Sequence, residues 1–194
     1  MTPDMHYLPD FVTDPSTLYR QVHDVVAWTR QMASRRTASM GLPYNYAGAC
    51  YPEAPWHPAV GMVAQQISRT LGFEPTNCLL NHYPTGKHSL GWHADDVDIL
   101  APGTPIAILS LGVPRIMKLR TEGPGGFVYI DQLLEPGSLL VMSQGMQAHW
   151  KHALKRAPTE ESRISLSFRH ITHVPEQGPD PGPWRRRRPT ADGD

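Results

Sequence analysis

The chain has 194 residues, enough for one domain with a substantial core and too few for two comfortable ones. Its 18 basic and 18 acidic residues cancel, which excludes a bulk electrostatic pull toward nucleic acid or anionic membranes, so any polyanion must be met locally. Cys50 and Cys78 lack metal-ligand spacing, and neither a signal-peptide pattern nor an apolar run of membrane length occurs; the expectation is a soluble, monomeric, cytoplasmic protein without membrane contact.

Asp14-Pro15-Ser16 reads as a helix start, with Asp14 as N-cap and Pro15 where its missing N–H costs nothing. Leu18, Val22, Val25, Val26 and Met32 follow at near-helical spacing and predict a helix over 15–33. After Arg35-Arg36 comes a Gly-, Pro- and aromatic-rich stretch that predicts a loop. Its Tyr44, Tyr46, Tyr51 and Trp56 can bury one another, or can form a lid with stacking surfaces and, through the arginines, phosphate contacts. Pro58 opens a second helix with an apolar stripe of Val60, Val63, Ile67 and Leu71, stopped by Gly72.

From Thr76 the pattern changes to short β runs: 78–83, 91–94, 106–111, 116–120, 127–131, 138–142 and 164–171. Turn signals such as Pro84-Thr85-Gly86, Glu122-Gly123-Pro124-Gly125-Gly126 and Glu135-Pro136-Gly137 separate them. Helices followed by strands, without alternation, predict an α+β fold whose strands close as a sandwich or jelly roll. Beyond His173 the Pro-, Gly- and Arg-rich residues 175–194 predict a flexible tail. A single domain over 1–174 remains, with a lid at about 37–57 and a β core at about 76–171.

Three pieces carry chemistry. His93 and Asp95, one residue apart on an extended chain, point to the same side and can share a metal; a second distant His would complete a 2-His-1-carboxylate facial triad. His149 and His152 are both candidates, and spacing does not choose between them. The last strand alternates, with Arg163, Ser165, Ser167 and Arg169 on one face and Ile164, Leu166 and Phe168 on the other. If the arginine face is internal it needs anions, and a dicarboxylate would give each guanidinium a planar partner. Asn81 and Tyr83 also project together, as neutral donors suited to a carboxylate.

The combination of NxY, WHxDD, PGSLLVM followed by HWxH, and RxxLxFR resembles the AlkB family of Fe(II)- and 2-oxoglutarate-dependent dioxygenases, in the branch that dealkylates nucleobases. The resemblance covers about 37–171 and implies a double-stranded β-helix, or jelly roll, with N-terminal helices packed against it and a nucleotide-recognition lid. It implies iron on His93, Asp95 and His152, with His149 outside the ligand set. It implies 2-oxoglutarate gripped by Arg163 and Arg169 with help from Asn81 and Tyr83, O2 as co-reactant, and alkylated DNA or RNA as substrate. Expected substrate contacts are Met40, Tyr44, Tyr46, Trp92, Asp96 and Val97. Val97 departs from the family, which usually has a carboxylate there, and Ser165 replaces a common Asn. Oxidative demethylation of N-alkylated bases is therefore expected, releasing formaldehyde, succinate and CO2. The alternatives are the same chemistry on a protein or small molecule, and a non-catalytic binding module.

Overall fold

The computed structural model describes residues 2–30, 32–46 and 49–174, without the side chains of Val25 and Tyr46. The tail expected over 175–194, with its arginines at 185–188, lies outside the described residues.

Helix α1 (Pro15–Val25) begins as expected, the Asp14 carboxylate accepting from the Thr17 amide at 3.0 Å. It ends well short of residue 33. Val26 is already extended, the Trp28 indole donates to the His23 carbonyl at 3.1 Å, and Thr29 bridges to Thr37, so tertiary pairing draws the chain out of the helix. Met32, expected on the helical stripe, lies in a different core. Helix α2 (Pro58–Leu71) buries Val60, Val63 and Ile67 and stops at Gly72, whose φ of 73° suits a residue without Cβ.

The strands are β1 (Met5–Leu8), β2 (Arg36–Gly41), β3 (Tyr44–Tyr46), β4 (Ala49–Tyr51), β5 (Asn77–Tyr83), β6 (Leu90–His93), β7 (Ile106–Gly112), β8 (Arg115–Gly123), β9 (Gly126–Leu134), β10 (Leu139–Met142), β11 (Trp150–Leu154) and β12 (Arg163–Arg169), with a short α3 (Gln144–His149) before β11. They form a six-stranded sheet of order β1-β10-β7-β12-β5-β2, a four-stranded sheet of order β6-β11-β8-β9, and the separate β3-β4 pair. All pairings are antiparallel.

Side-chain parity divides the interior in two. Cys78, Leu80, Leu109, Leu111, Ile164, Leu166 and Phe168 turn toward α1 and α2, whereas Leu79, Ile106, Ile108 and Leu140 meet Met117, Leu119, Leu134 and Trp150 of the smaller sheet. The result is the helix-backed jelly roll expected of the α+β pattern.

Two corrections concern the segment before α2. Residues 36–41 are not loop but the edge strand of the larger sheet, paired with β5 from Arg36↔His82 to Gly41↔Asn77. Trp56 is not part of an aromatic lid; it stacks on Phe168 with ring centroids 6.4 Å apart, on the helix side.

Candidate active site

The space between the two sheets opens into a pocket whose wall includes His93, Asp95, His152, Asn81, Tyr83 and all four polar residues of β12. β6 and β11 run antiparallel with His93 directly opposite His152, and their rings lie 4.2 Å apart between centroids. Asp95 sits just beyond the end of β6. Its Oδ1 lies 3.5 Å from His93 Nε2 and 3.8 Å from His152 Nε2, so one donor atom from each residue falls within 4.8 Å of the others. The structure brings His152, and not His149, to this cluster. His149 ends α3 on the surface, its carbonyl accepting from Thr121 at 2.8 Å.

The protonation states suit a cation. Burial lowers His152 to about 3, with His93 adding to the effect, and burial also lowers His93, so both imidazoles are neutral near pH 7. His93 Nδ1 lies 2.9 Å from the Gly91 carbonyl, which puts the proton on Nδ1 and makes Nε2, the nitrogen on the Asp95 side, the ligating atom. Burial pushes the Asp95 carboxyl up, but the Arg169 guanidinium and then the two histidines outweigh it and hold the group well below the usual carboxylate range. Arg169 donates to Asp95 Oδ2 at 2.5 Å. One carboxylate oxygen is thereby fixed and the other faces the imidazoles. Gln147 of α3 accepts from the Asp95 amide at 3.0 Å and anchors the irregular turn from behind. Neutral imidazoles and a carboxylate converging from two strands fit a divalent metal, and Nε2 of His93, Asp95 Oδ1 and His152 are the groups that would hold it.

A second half of the pocket is cationic. Arg163 is 2% exposed and donates to Ser110 Oγ at 2.9 Å, yet its Nε has no partner and among the described residues it makes no ion pair. Burial lowers it to about 10, which still leaves it charged at neutral pH. A buried guanidinium without an anion is costly unless a ligand supplies one. Tyr83 lies directly across the ladder from Arg163, and Asn81 across from Ser165. Arg35, also buried, donates from Nε to Asn81 Oδ1 at 2.6 Å. That bond fixes the amide orientation, so the Asn81 NH2 remains as the donor. These groups fit a carboxylate ligand.

The expected substrate contacts divide differently. Tyr44 lines the pocket with its ring 5.0 Å from the Arg169 guanidinium carbon, while the Tyr46 side chain lies outside the described residues. Met40 is corrected: it packs in the core between the larger sheet and the helices, on the opposite face of β2 from the pocket. Trp92 does not line this pocket, because parity turns it away from His93 onto the outer face of the smaller sheet, 6.1 Å from Tyr129 between ring centroids. Asp96 and Val97, expected at the substrate from the resemblance, lie beyond the end of β6 at His93. Asp96 Oδ1 accepts from the Asp98 amide at 3.0 Å, and Val97 packs on the inter-sheet core. Neither lines the pocket.

Sequence inspection missed Gln147, Ser110 and the inward turn of Arg35. Only Ser110 left a trace, as the one hydroxyl within the otherwise apolar run of 106–111.

Comparison with known proteins agrees with the site. The model of the family described as "2OG-Fe(II) oxygenase superfamily" matches residues 9–169. The chain is 35% identical over 147 residues to "Alpha-ketoglutarate-dependent dioxygenase alkB homolog 3" of Bos taurus, covering 71% of this chain and 51% of that protein. It is also 35% identical over 138 residues to "DNA oxidative demethylase ALKBH2" of Homo sapiens, covering 68% and 53%. The chain thus spans about half the length of the curated relatives it matches. The fold is shared with the solved structure titled "The structure of OsALKBH1", with a TM-score of 0.63 and 16% identity over 88% of this chain and 98% of that one. The superfamily implies Fe(II), 2-oxoglutarate and O2, and the first two fit the donor sets of the two pocket halves. A neutral His pair and an anchored carboxylate facing a buried arginine that has no ion pair among the described residues, together with the match over 9–169, show that the chain belongs to the 2OG-Fe(II) oxygenase superfamily.

Proposed function

We propose that the protein catalyses Fe(II)- and 2-oxoglutarate-dependent oxidative demethylation of N-alkylated bases in DNA or RNA, as a monomer in the cytoplasm. The observation that carries the reaction type is the pairing, in one pocket, of the His93-Asp95-His152 cluster with Arg163, which has no carboxylate partner among the described residues. The substrate class is supported by similarity to proteins named as AlkB homologues and DNA oxidative demethylases. When bound, iron and 2-oxoglutarate turn O2 into an oxidant for a substrate C–H bond, with succinate and CO2 as co-products.

The chain's own residues position and exclude. His93, Asp95 and His152 would hold the metal, and Arg169 keeps Asp95 ionised and in register. Arg163 and Arg169, helped by Tyr83 and the Asn81 NH2, would receive the carboxylates of 2-oxoglutarate, which relieves the Arg163 guanidinium. The buried walls of Leu79, Ile108 and Met117 keep water from the reacting groups. Hydroxylation of an N-methyl carbon leaves an N-hydroxymethyl group, whose C–N bond breaks to give formaldehyde and the unmodified base. A base in a duplex must first be flipped out, at a cost of a few kcal/mol that is least for damaged or unpaired bases.

No helix among the described residues is long and apolar enough to cross a membrane, and Cys50 and Cys78 are free thiols, as suits a reducing compartment. The test is formaldehyde release from oligonucleotides carrying N1-methyladenine or N3-methylcytosine. Release that requires both Fe(II) and 2-oxoglutarate is expected. Succinate production that never responds to any methylated oligonucleotide would sink the nucleic-acid substrate and favour a protein or small molecule.

A further inference from the structure

The outer face of the four-stranded sheet is built unlike the rest of the surface. Met117, Leu119 and His152 point inward, so Lys118 and Arg120 of β8 and Lys151 of β11 point outward, joined across the ladders by Tyr129 and Phe127 of β9. The Arg120 guanidinium carbon lies 4.5 Å from the centroids of both the Trp92 and Phe127 rings, and Lys155 Nζ lies 4.7 Å from Trp92. Phe127 and Tyr129 are 48% and 56% exposed, with ring centroids 6.2 Å apart.

The charges are as unusual as the rings. Lys118 is neutralised by Asp131 at 2.8 Å. Arg120, Lys151 and Lys155 make no ion pair among the described residues, and Arg120 Nε is buried without a hydrogen-bond partner. Arg120, Thr121, Phe127, His149 and Lys151 also rim a cleft of about 360 Å³, with Glu122 as its one acidic member. In a chain of zero net charge, three cations without ion pairs on a face that also exposes Phe127 and Tyr129 are a local excess.

We propose that this face is a second nucleic-acid contact, binding an unpaired strand of the substrate polynucleotide through its phosphates and bases. The inference rests on the demethylase reading for the substrate's identity. Aromatic rings interleaved with cations are what sequence-tolerant single-strand binding requires, the rings stacking bases and the cations meeting phosphates. A second copy of the chain is disfavoured as occupant, since face-to-face docking would bring unpaired cations together. The platform lies on the back of the four-stranded sheet, whose inner face carries His93 on β6 and His152 on β11. Flanking nucleotides held there raise the local concentration of the base that enters the pocket.

The experiment measures fluorescence anisotropy of fluorescein-labelled single-stranded oligodeoxythymidylate with the full chain. Arg120→Ala, Tyr129→Ala and Lys151→Ala are compared with the parent, alongside thermal midpoints and formaldehyde release from a methylated oligonucleotide. Expected are about tenfold weaker binding for Arg120→Ala and Tyr129→Ala, and a salt-dependence slope shallower by about one for Lys151→Ala, with midpoints near the parent's. Equal binding by parent and by folded Tyr129→Ala and Lys151→Ala overturns the inference, as does competition by polyglutamate as strong as that by unlabelled oligonucleotide. Formaldehyde release with variants that bind like the parent removes the platform and leaves the demethylase. Loss of oligonucleotide binding in the variants, without formaldehyde release by any of the proteins, removes the demethylase and leaves the platform.

Discussion

On one face of β12, Ile164, Leu166 and Phe168 pack against α1 and α2; on the other, Arg163, Ser165, Ser167 and Arg169 line the pocket. All seven residues are buried. Burying an apolar side chain of this size contributes about 1.5–3 kcal/mol to folding. Burying a guanidinium costs several kcal/mol unless an anion answers it. Asp95 answers Arg169, whereas no carboxylate answers Arg163 among the described residues. One face therefore stabilises the fold, and the other draws on that stability to keep a ligand site dry and charged. The same division recurs on β5, where Cys78 and Leu80 face the helices and Asn81 and Tyr83 face the pocket.

Substitutions on each side should separate the two roles, and the largest effect belongs to the metal cluster. His152→Ala is expected to abolish iron binding and lower formaldehyde formation about a thousandfold or more, as befits losing several kcal/mol of metal-derived stabilisation. The surface His149→Ala should retain both; iron content and product assays check the pair, and the opposite pattern would overturn the ligand assignment. Next is Phe168→Ala on the apolar face, expected to cost about 3–5 kcal/mol in urea unfolding by emptying the space under Trp56. Arg163→Met, on the same strand but the opposite face, should weaken 2-oxoglutarate by about tenfold to a hundredfold by removing a charge-assisted contact. It should leave the ligand-free protein as stable or more so, because an uncompensated buried charge disappears. Should Arg163→Met prove as destabilising as Phe168→Ala, the division between the faces would not hold.

What could be read from the sequence follows from the same period of two. The alternation of 163–169 is enough to put four polar residues on one side of β12, and parity also puts Trp92 opposite His93, outside the pocket. Asp96 and Val97 show the limit: a resemblance assigns roles by position, and beyond the end of β6 at His93 the turn carries Val97 to the inter-sheet core and Asp96 onto the Asp98 amide. β2 was hidden because Arg36–Gly41 has few strand-favouring residues, and its pairing with β5 is a long-range contact. Gln147 and Arg35 reach Asp95 and Asn81 from elements far away in sequence, so no local pattern announces them.

His82 is the exception that tests the apolar side. It lies between Asn81 and Tyr83 on β5 but turns toward the helices, 2% exposed, with neither ring nitrogen hydrogen-bonded among the described residues. Its ring meets His23 edge-on with centroids 5.0 Å apart and Trp28 at 5.1 Å. Burial lowers its pKa from 6.5 to about 4, and the nearby His23, Arg36 and His88 push in the same direction. Above pH 6.5 the ring is neutral whether the chain is folded or not, so its titration costs nothing. As pH falls from 6.5 toward 4 the unfolded chain takes up a proton that the folded chain refuses, and stability is lost across that window. The loss attributable to His82 should be about 1–3 kcal/mol, and His82→Leu should remove it. Carboxylates titrate over part of the same range, so the informative quantity is the difference between parent and variant in urea midpoints at pH 7 and pH 4.5. A constant difference across that range would mean that the helix-side face tolerates a charged imidazole, and that the contrast between the two faces is weaker than their side chains imply.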